Sequence, residues 1–231
     1  MLKEAAKYIR TYIKAHPNDG NLDGLYKECD VEMRKMVTYL LMKFNPIDRV
    51  SEVYDGMFES TEDLTSITIP NRIRNIGISS FADCIYLERV YLPKDLTSIG
   101  DSAFYDCFSL ESITINDGIQ NIGDDAFSGC SNLIEANIGE GLIELSESIF
   151  HDCRSLDTLV LPSTLKKISR GALFNCSRIS SIIFRGTVDQ WIAVDKGPDW
   201  DYNTDVVKIK CSDGIAVSRM SGGVEEWIRQ N

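Results

Sequence analysis

The sequence predicts an α+β protein: a solenoid of six 23-residue coils, each containing short strands, flanked by an N-terminal helical hairpin cap and a C-terminal cap. Three observations support this prediction. An apolar pattern repeats every 23 residues, helical periodicity precedes it, and a segment with three tryptophans follows it. Fixed repeats of roughly 20–50 residues are typical of solenoids, in which stacked units bury one continuous core. We expect the hairpin over residues 1–46, the solenoid over 47–186 and the C-terminal cap over 187–231.

Two rows of residues define the repeat most clearly, and no insertion or deletion interrupts them. The phenylalanine row consists of Phe58, Phe81, Phe104, Phe127 and Phe150, followed by Leu173. The cysteine row starts at Thr61 and continues through Cys84, Cys107, Cys130, Cys153 and Cys176. Because stacked strands lie about 4.8 Å apart, each row should line up along the stack. We therefore expect an aromatic spine and a buried, structural line of thiols.

Each coil is expected to contain a short strand with one buried face. The stretch from Leu110 to Ile115 ends in period-two alternation of apolar and polar residues, as such a strand requires. Ile-Gly pairs such as Ile122-Gly123 predict a tight bend after a second short extended piece. Prolines such as Pro93 follow the predicted strands and stop the ladder of hydrogen bonds there.

The N-terminal segment has helical rather than 23-residue periodicity. Two amphipathic stretches flank the turn signal Pro17–Gly20, and the second ends near Pro46. We interpret them as an α-hairpin. It either covers the open apolar end of the first coil, as solenoid ends require, or docks a partner.

The C-terminal segment is expected to close the other end. Residues Thr187–Lys196 predict a short helix whose Trp191 covers the last coil, and Val206–Lys210 predicts a strand. Ser212–Gly214 predicts a turn, and the tail Val224–Gln230 predicts a helix. We assign Trp227 in that tail to the cap rather than to a binding surface.

The repeat, with A-F-x-x-C-x-x-L-x-x-I-x-I-P as its core, resembles the BspA-like leucine-rich repeats of bacteria. The stretch Ile99–Ile115, IGDSAFYDCFSLESITI, shows the resemblance best. The stretches Phe184–Trp191, Trp200–Asn203 and Cys211–Gly214 resemble the end cap common in that family, so the likeness covers about residues 48–215. The resemblance implies a leucine-rich-repeat solenoid that serves as a surface-exposed adhesion or interaction module.

The charge of the chain is strongly acidic and unevenly distributed. The net charge is −11; residues 1–46 hold eight Lys and Arg against six Asp and Glu, and the remainder holds 16 against 29, a balance of −13. Such a surface repels phosphate, so direct nucleic-acid binding is not expected. It would attract a basic protein, although negative charge also serves solubility alone.

Neither catalysis nor a metal site is indicated by the sequence. The two histidines, His16 and His151, have no obvious catalytic partners, and Walker, Rossmann and HExxH motifs are absent. A line of equally spaced thiols does not converge on one point, as zinc coordination requires. We therefore expect no enzymatic activity, no cofactor and no metal.

The sequence suggests a cytoplasmic location. No stretch approaches the ~18 consecutive apolar residues of a membrane span. Charges interrupt Met1–Arg10 every few residues, so the apolar core of a secretory signal is not found there. We expect no membrane insertion, and a monomer is our default expectation because both solenoid ends are expected to be capped.

The outward-pointing strand residues vary between coils and are the predicted partner-binding surface. These candidates are Arg89, Tyr91, Thr114, Glu135, Asn137, Thr158 and Val160. Tyr91 is the strongest anchor candidate, because aromatic residues dominate binding hot spots. Tyr86, Tyr105 and Phe108 form a possible second patch near the turn.

Three functions are compatible with these features. The first is a non-enzymatic protein-protein interaction module that binds a macromolecular partner through the solenoid surface. The second is an acidic, phage-type anti-defence inhibitor of a nucleic-acid-binding enzyme, motivated by the charge. The third is a cell-surface adhesion module that lacks its leader, motivated by the family resemblance.

Overall fold

The computed structural model describes residues 11, 12, 15, 52–204, 206, 208–221 and 224–230. The helical hairpin predicted for residues 1–46 therefore lies outside the described residues, apart from Thr11, Tyr12 and Ala15. These three are helical, and the Tyr12 side chain is buried in the hydrophobic core.

Short parallel strands and turns make up the solenoid. The strands in chain order are β1 (Glu52–Val53), β2 (Ser66–Thr68), β3 (Asn75–Ile76), β4 (Arg89–Tyr91), β5 (Ser98–Ile99), β6 (Ser112–Ile115), β7 (Asn121–Ile122), β8 (Glu135–Ile138), β9 (Glu144–Leu145), β10 (Thr158–Leu161), β11 (Lys167–Ile168), β12 (Ser181–Phe184), β13 (Asp195–Lys196), β14 (Lys208–Cys211), β15 (Gly214–Ser221) and β16 (Val224–Arg229). One helix, α1 (Val188–Ile192), interrupts this series. The described part is thus a β-solenoid with very little helix, which corrects the predicted α+β class.

The strands form three ladders that run along the stack. The largest sheet has nine strands in the order β16-β15-β14-β12-β10-β8-β6-β4-β2. Two smaller ladders, β1-β3-β5-β7 and β13-β11-β9, hold the second extended piece of each coil. Pairing within the six repeats is parallel and joins residues 23 positions apart, for example Ile113 with Ala136. The 23-residue period of the sequence is therefore the register of the sheets.

The core consists of the predicted rows. Neighbouring rings of the phenylalanine row are stacked nearly parallel, with centroids 4.9, 5.0, 5.2 and 5.6 Å apart from Phe58 to Phe150. The five cysteines of the row are buried and form no disulfide bonds. Each thiol donates a hydrogen bond to the backbone oxygen of the phenylalanine 26 residues earlier, at 3.0–3.2 Å. The aromatic spine and the buried thiol line are both present, and the thiols join consecutive coils.

A seventh coil follows the six predicted ones, and the C-terminal cap supplies it. β13 pairs with β11 so that Lys196 lies beside Ile168, 28 residues earlier, and β14 pairs with β12. The longer spacing accommodates α1, which Thr187 caps through its side chain and whose Trp191 is fully buried. The predicted count of six coils is therefore one too low for this part of the chain.

The end of the chain is a strand hairpin rather than the helix predicted for Val224–Gln230. β14, β15 and β16 pair antiparallel, and Ser221 lies opposite Val224. The intervening sequence Gly222-Gly223 is typical of two-residue hairpin loops and favours this pairing. Trp227 is buried against Trp191, with ring centroids 5.6 Å apart, which confirms its place in the cap.

Candidate partner-binding surface

The outward side of the nine-stranded sheet, here called the strand face, carries all seven predicted contact residues. Alternation along each strand places them there: in β4, Arg89 and Tyr91 are exposed while Val90 between them is buried. Parallel pairing aligns Arg89 with Ser112, then Glu135 and Thr158 in one row. Thr114, Asn137 and Val160 are aligned in the adjacent row, which Tyr91 precedes.

Exposure falls along these two rows toward the C-terminal end. The side chains of Arg89, Tyr91, Thr114 and Glu135 are exposed, and those of Asn137, Thr158 and Val160 are half-buried. Tyr91 is the largest exposed apolar group on the strand face, at 56% exposure. The N-terminal half of the face is therefore the more accessible part for a partner.

Arg185 explains part of the lower exposure and was not among the predicted site residues. Its guanidinium donates hydrogen bonds to the Asn137 side-chain oxygen and to the Ile138 backbone oxygen, both at 2.7 Å. Arg185 occupies the repeat position that Pro93 and Pro162 hold in other coils. That replacement of a proline by an arginine was the only sequence signal for it.

A groove of about 590 Å³ borders the strand face and was also missed. Glu88, Glu111, Ile134 and Asp157 line it, and Ile134 at its centre is 54% exposed. Arg89 lies 3.9 Å from the Glu88 carboxylate and 3.8 Å from that of Glu111. These exposed ion pairs contribute little stability, so the charges remain free to exchange partners.

The cysteine row has the chemistry of a structural element. Burial raises the pKa of the Cys107, Cys130 and Cys153 thiols well above the ordinary value, and that of Cys176 to about 12. Since the thiolate is the form that attacks and binds metals, these thiols are inert in the folded chain. No group of three or more His, Cys, Asp or Glu side chains suited to a metal ion occurs among the residues that the structure describes.

His151 is part of a stack of rings. Its Nδ1 lies 3.3 Å from a carboxylate oxygen of Asp152, and its ring stacks on Phe174 at 4.9 Å.

No helix in the described ranges has the length and apolar character needed to cross a bilayer.

The match to a family model decides the family of this chain. Residues 51–190 match six copies of the BspA type Leucine rich repeat region, which is more than half of the chain. The chain belongs to the BspA-type leucine-rich repeat family. Leucine-rich-repeat solenoids are generally non-enzymatic modules for protein interaction or adhesion.

Solved structures of bacterial leucine-rich repeat proteins share the fold. The T. pallidum Leucine Rich Repeat protein is 28% identical, with a TM-score of 0.59 over 64% of this chain and 67% of that one. The pneumococcal vaccine antigen PcpA is 20% identical, with a TM-score of 0.58 over 72% of this chain and 40% of that one. A leucine-rich repeat protein from Eubacterium ventriosum is 19% identical, with a TM-score of 0.51 over 62% and 43%. No curated protein matches the sequence.

Proposed function

We propose that this BspA-type solenoid binds a protein partner through its strand face and performs no chemistry of its own. The observation that carries the proposal is the alignment of seven variable residues on one accessible face, with Tyr91 at 56% exposure as its anchor. A large, rigid aromatic side chain among polar neighbours is typical of binding hot spots. The groove with Ile134 at its centre extends the same surface by a second apolar contact.

We further propose that the partner is a basic protein. A nucleic-acid-binding enzyme that this chain inhibits is one such partner, as expected from the charge. The balance of −13 outside residues 1–46 supports it, since opposite charge speeds and orients association. The expected cytoplasmic location and monomeric state go with this proposal and stay predictions.

The test is capture of partners from bacterial lysate by the tagged chain, washed at low and at high salt. Tyr91→Ala should lower recovery of a specific partner by roughly tenfold or more, the effect of removing a hot-spot aromatic. The matched control is Ile143→Ala, because Ile143 is equally exposed, at 59%, but lies outside the strand face. Folding of each variant is checked by circular dichroism.

Equal recovery by Tyr91→Ala and Ile143→Ala would remove the strand face from the proposal. Loss of the partner at high salt supports a basic partner, because salt screens exposed charges. A salt-resistant partner of ordinary charge would contradict the basic partner while supporting protein binding.

A further inference from the structure

The groove beside the strand face runs along most of the stack. Backbone hydrogen bonds of 2.9–3.2 Å carry one of its walls from coil to coil, from Ser180 to Asp157, Ile134, Glu111 and Glu88. The Ser180 hydroxyl also donates a hydrogen bond to the Asp157 carboxylate at 2.6 Å. At Ser180 the groove of about 590 Å³ adjoins a second groove of about 450 Å³. We call the two together the long groove, which extends from coil 2 to coil 7.

The charge of the long groove changes sign along its length. Coils 2 to 5 contribute acids and no base to its lining: Glu88, Glu111 and Asp157. Coils 6 and 7 contribute bases: Arg178, Lys208 and Lys210. Among the described residues that line the groove in these two coils, none is acidic. The net charge of −11 therefore does not describe this groove, whose two ends have opposite signs.

The bases at the C-terminal end are not used within the solenoid. Arg178, Lys208 and Lys210 are exposed, and no side chain of the three forms an ion pair or a hydrogen bond with the described residues. Arg185 provides the contrast, because its guanidinium donates hydrogen bonds to the Asn137 side chain and to a backbone oxygen of β8. One end of the long groove thus offers positive charges that a partner can pair with.

The long groove is narrow in its first part. One wall consists of Ser109, Asn132 and Ser155, and the other of Glu111, Ile134 and Asp157. Ser109 and Glu111 are separated by one residue in the chain, so at most about 7 Å separates their Cα atoms. Leu110 between them is fully buried and forms the floor. An α-helix with its side chains is about 10–12 Å across and cannot enter such a groove, whereas an extended segment can.

We propose that the long groove binds an extended segment of a partner protein, with a basic residue at one end, an apolar residue near it and an acidic residue at the other end. The basic side chain pairs with Glu88 and Glu111, and the apolar one packs on Ile134, which is 54% exposed. The acidic side chain pairs with Lys208 and Lys210. This inference rests on the proposed protein-binding function and names the part of the partner that makes the contact.

The spacing of the coils sets the spacing of the partner's residues. From Glu111 to Lys208 the sheet advances from β6 to β14, four strand spacings or about 19 Å. Six residues of extended chain span about 20 Å. Ile134 lies one spacing from Glu111, about 5 Å. The basic, apolar and acidic residues are therefore expected at about positions 1, 3 and 7 in either chain direction, on one face of the segment.

The experiment selects peptides from a random library displayed on phage, with the full chain immobilised at low salt. We expect enriched peptides to carry a basic and an acidic residue about six positions apart, with an apolar residue nearer the basic one. The same selection is made on the double variant Lys208→Glu with Lys210→Glu, the groove variant. There the acidic residue of the enriched peptides should be replaced by a basic one, because the charge that it meets is reversed.

A control variant separates the groove from the total charge. Lys94→Glu with Lys166→Glu changes the net charge equally, at two exposed lysines that do not line the long groove. A fluorescein-labelled synthetic copy of the most enriched wild-type peptide is then measured by fluorescence polarisation. It should bind the groove variant about tenfold more weakly, since attraction becomes repulsion, and the control within about twofold of the wild type. Circular dichroism checks that both variants fold.

Several results would overturn the long groove as the site of such a segment. They are a wild-type selection without enrichment, enriched peptides without the charge pattern, and equal effects of the groove and control variants. A wild-type dimer in sedimentation that the groove variant disrupts would assign the groove to a second copy of the chain instead. Any of these, together with partner capture that still depends on Tyr91, would leave the proposed function intact. The charge pattern in peptides, with capture indifferent to Tyr91→Ala, would support the groove and remove Tyr91 as the anchor.

Discussion

The aromatic spine offers the sharpest test of how this solenoid is held together. Phe127 lies in the middle of the stack, is fully buried, and packs against Phe104 at 5.2 Å and Phe150 at 5.6 Å. Replacement by alanine removes the ring from both contacts. The neighbouring rings cannot close the gap, because the backbone ladders fix the spacing of the coils on either side.

The expected loss can be estimated from burial. A buried phenylalanine hides about 150–200 Å² of surface, which at about 25 cal/mol per Å² corresponds to about 4–5 kcal/mol. Alanine retains part of this, and the lost stacking adds about 0.5–1.5 kcal/mol per ring pair. We therefore expect Phe127→Ala to cost about 3–5 kcal/mol, as core phenylalanines usually do. Phe127→Leu should cost less, about 1–2 kcal/mol, because much of the apolar volume remains; Leu173 fills the same row in coil 6.

Urea unfolding followed by two signals measures both the size and the location of the effect. Circular dichroism reports the whole solenoid, whereas all three tryptophans, Trp191, Trp200 and Trp227, lie in the C-terminal cap. Coils contact only their neighbours, so damage in coil 4 should uncouple the two halves. We expect the two unfolding curves to coincide for the wild type and to separate for Phe127→Ala. A Phe127→Ala chain that unfolds within about 1 kcal/mol of the wild type would refute the spine as the main stabilising element.

Four further predictions follow from the same structure. Iodoacetamide should leave the five row cysteines unmodified until the chain unfolds, because burial raises their thiol pKa; peptide mapping that finds early labelling of Cys130 would contradict this. Asp106→Asn should stabilise the chain at about pH 7, because the pKa of Asp106 is raised in the folded chain and its ionised form therefore destabilises the fold. The gain should vanish below about pH 3.9, where Asp106 is protonated in both the folded and the unfolded chain. Glu144→Gln should destabilise the chain at about pH 7, since hydrogen bonds from Lys167 and Ser169 lower the pKa of Glu144 in the folded chain. The stability that Glu144 contributes is lost as pH falls through that lowered pKa, and the midpoints of urea unfolding across the acidic range check the sign of both effects. Gly139→Ala should destabilise the chain because a Cβ there would collide with the backbone of residues 116 and 117, and a wild-type thermal midpoint would argue against it.

The repeats were predictable because their period is strict, and the cap was not because it breaks that period. The parallel register follows directly from residues spaced by 23, as in Ile113 and Ala136. The seventh coil is offset by 28 residues at Lys196, so α1 hides it from any search at a fixed spacing. The tail, VEEWIR, spaces its apolar residues Val224, Trp227 and Ile228 as a helix would, and only pairing with β15 makes it a strand.

The strand face was predictable in its membership but not in its surroundings. Strand alternation places Tyr91 and Glu135 outside from the sequence alone. Arg185 covers Asn137, which lies 48 residues earlier in the chain, and no local sequence pattern encodes this contact. Exposure of Ile134 in a groove likewise depends on how several coils line up.

The fold requires some of the acidic residues and not others, and the turn positions distinguish the two. Asp83, Asp106 and Asp152 have positive φ angles of 53–59°, a region that aspartate and asparagine tolerate better than most residues. In coil 6 and the cap the equivalent places hold Asn175 and Asn203, with φ of 63° and 59°. Coils 1 and 4 hold Ser60 and Gly129 at the same place, with φ of 53° and 77°. The backbone therefore requires a residue that tolerates a positive φ there, but not a charge. At Asp152 neighbouring donors compensate the charge, whereas at Asp106 the raised pKa marks a charge that the fold neither needs nor stabilises. The charge of Asp106 is therefore one that the turn does not require, and it adds to the negative surface that would attract a basic partner.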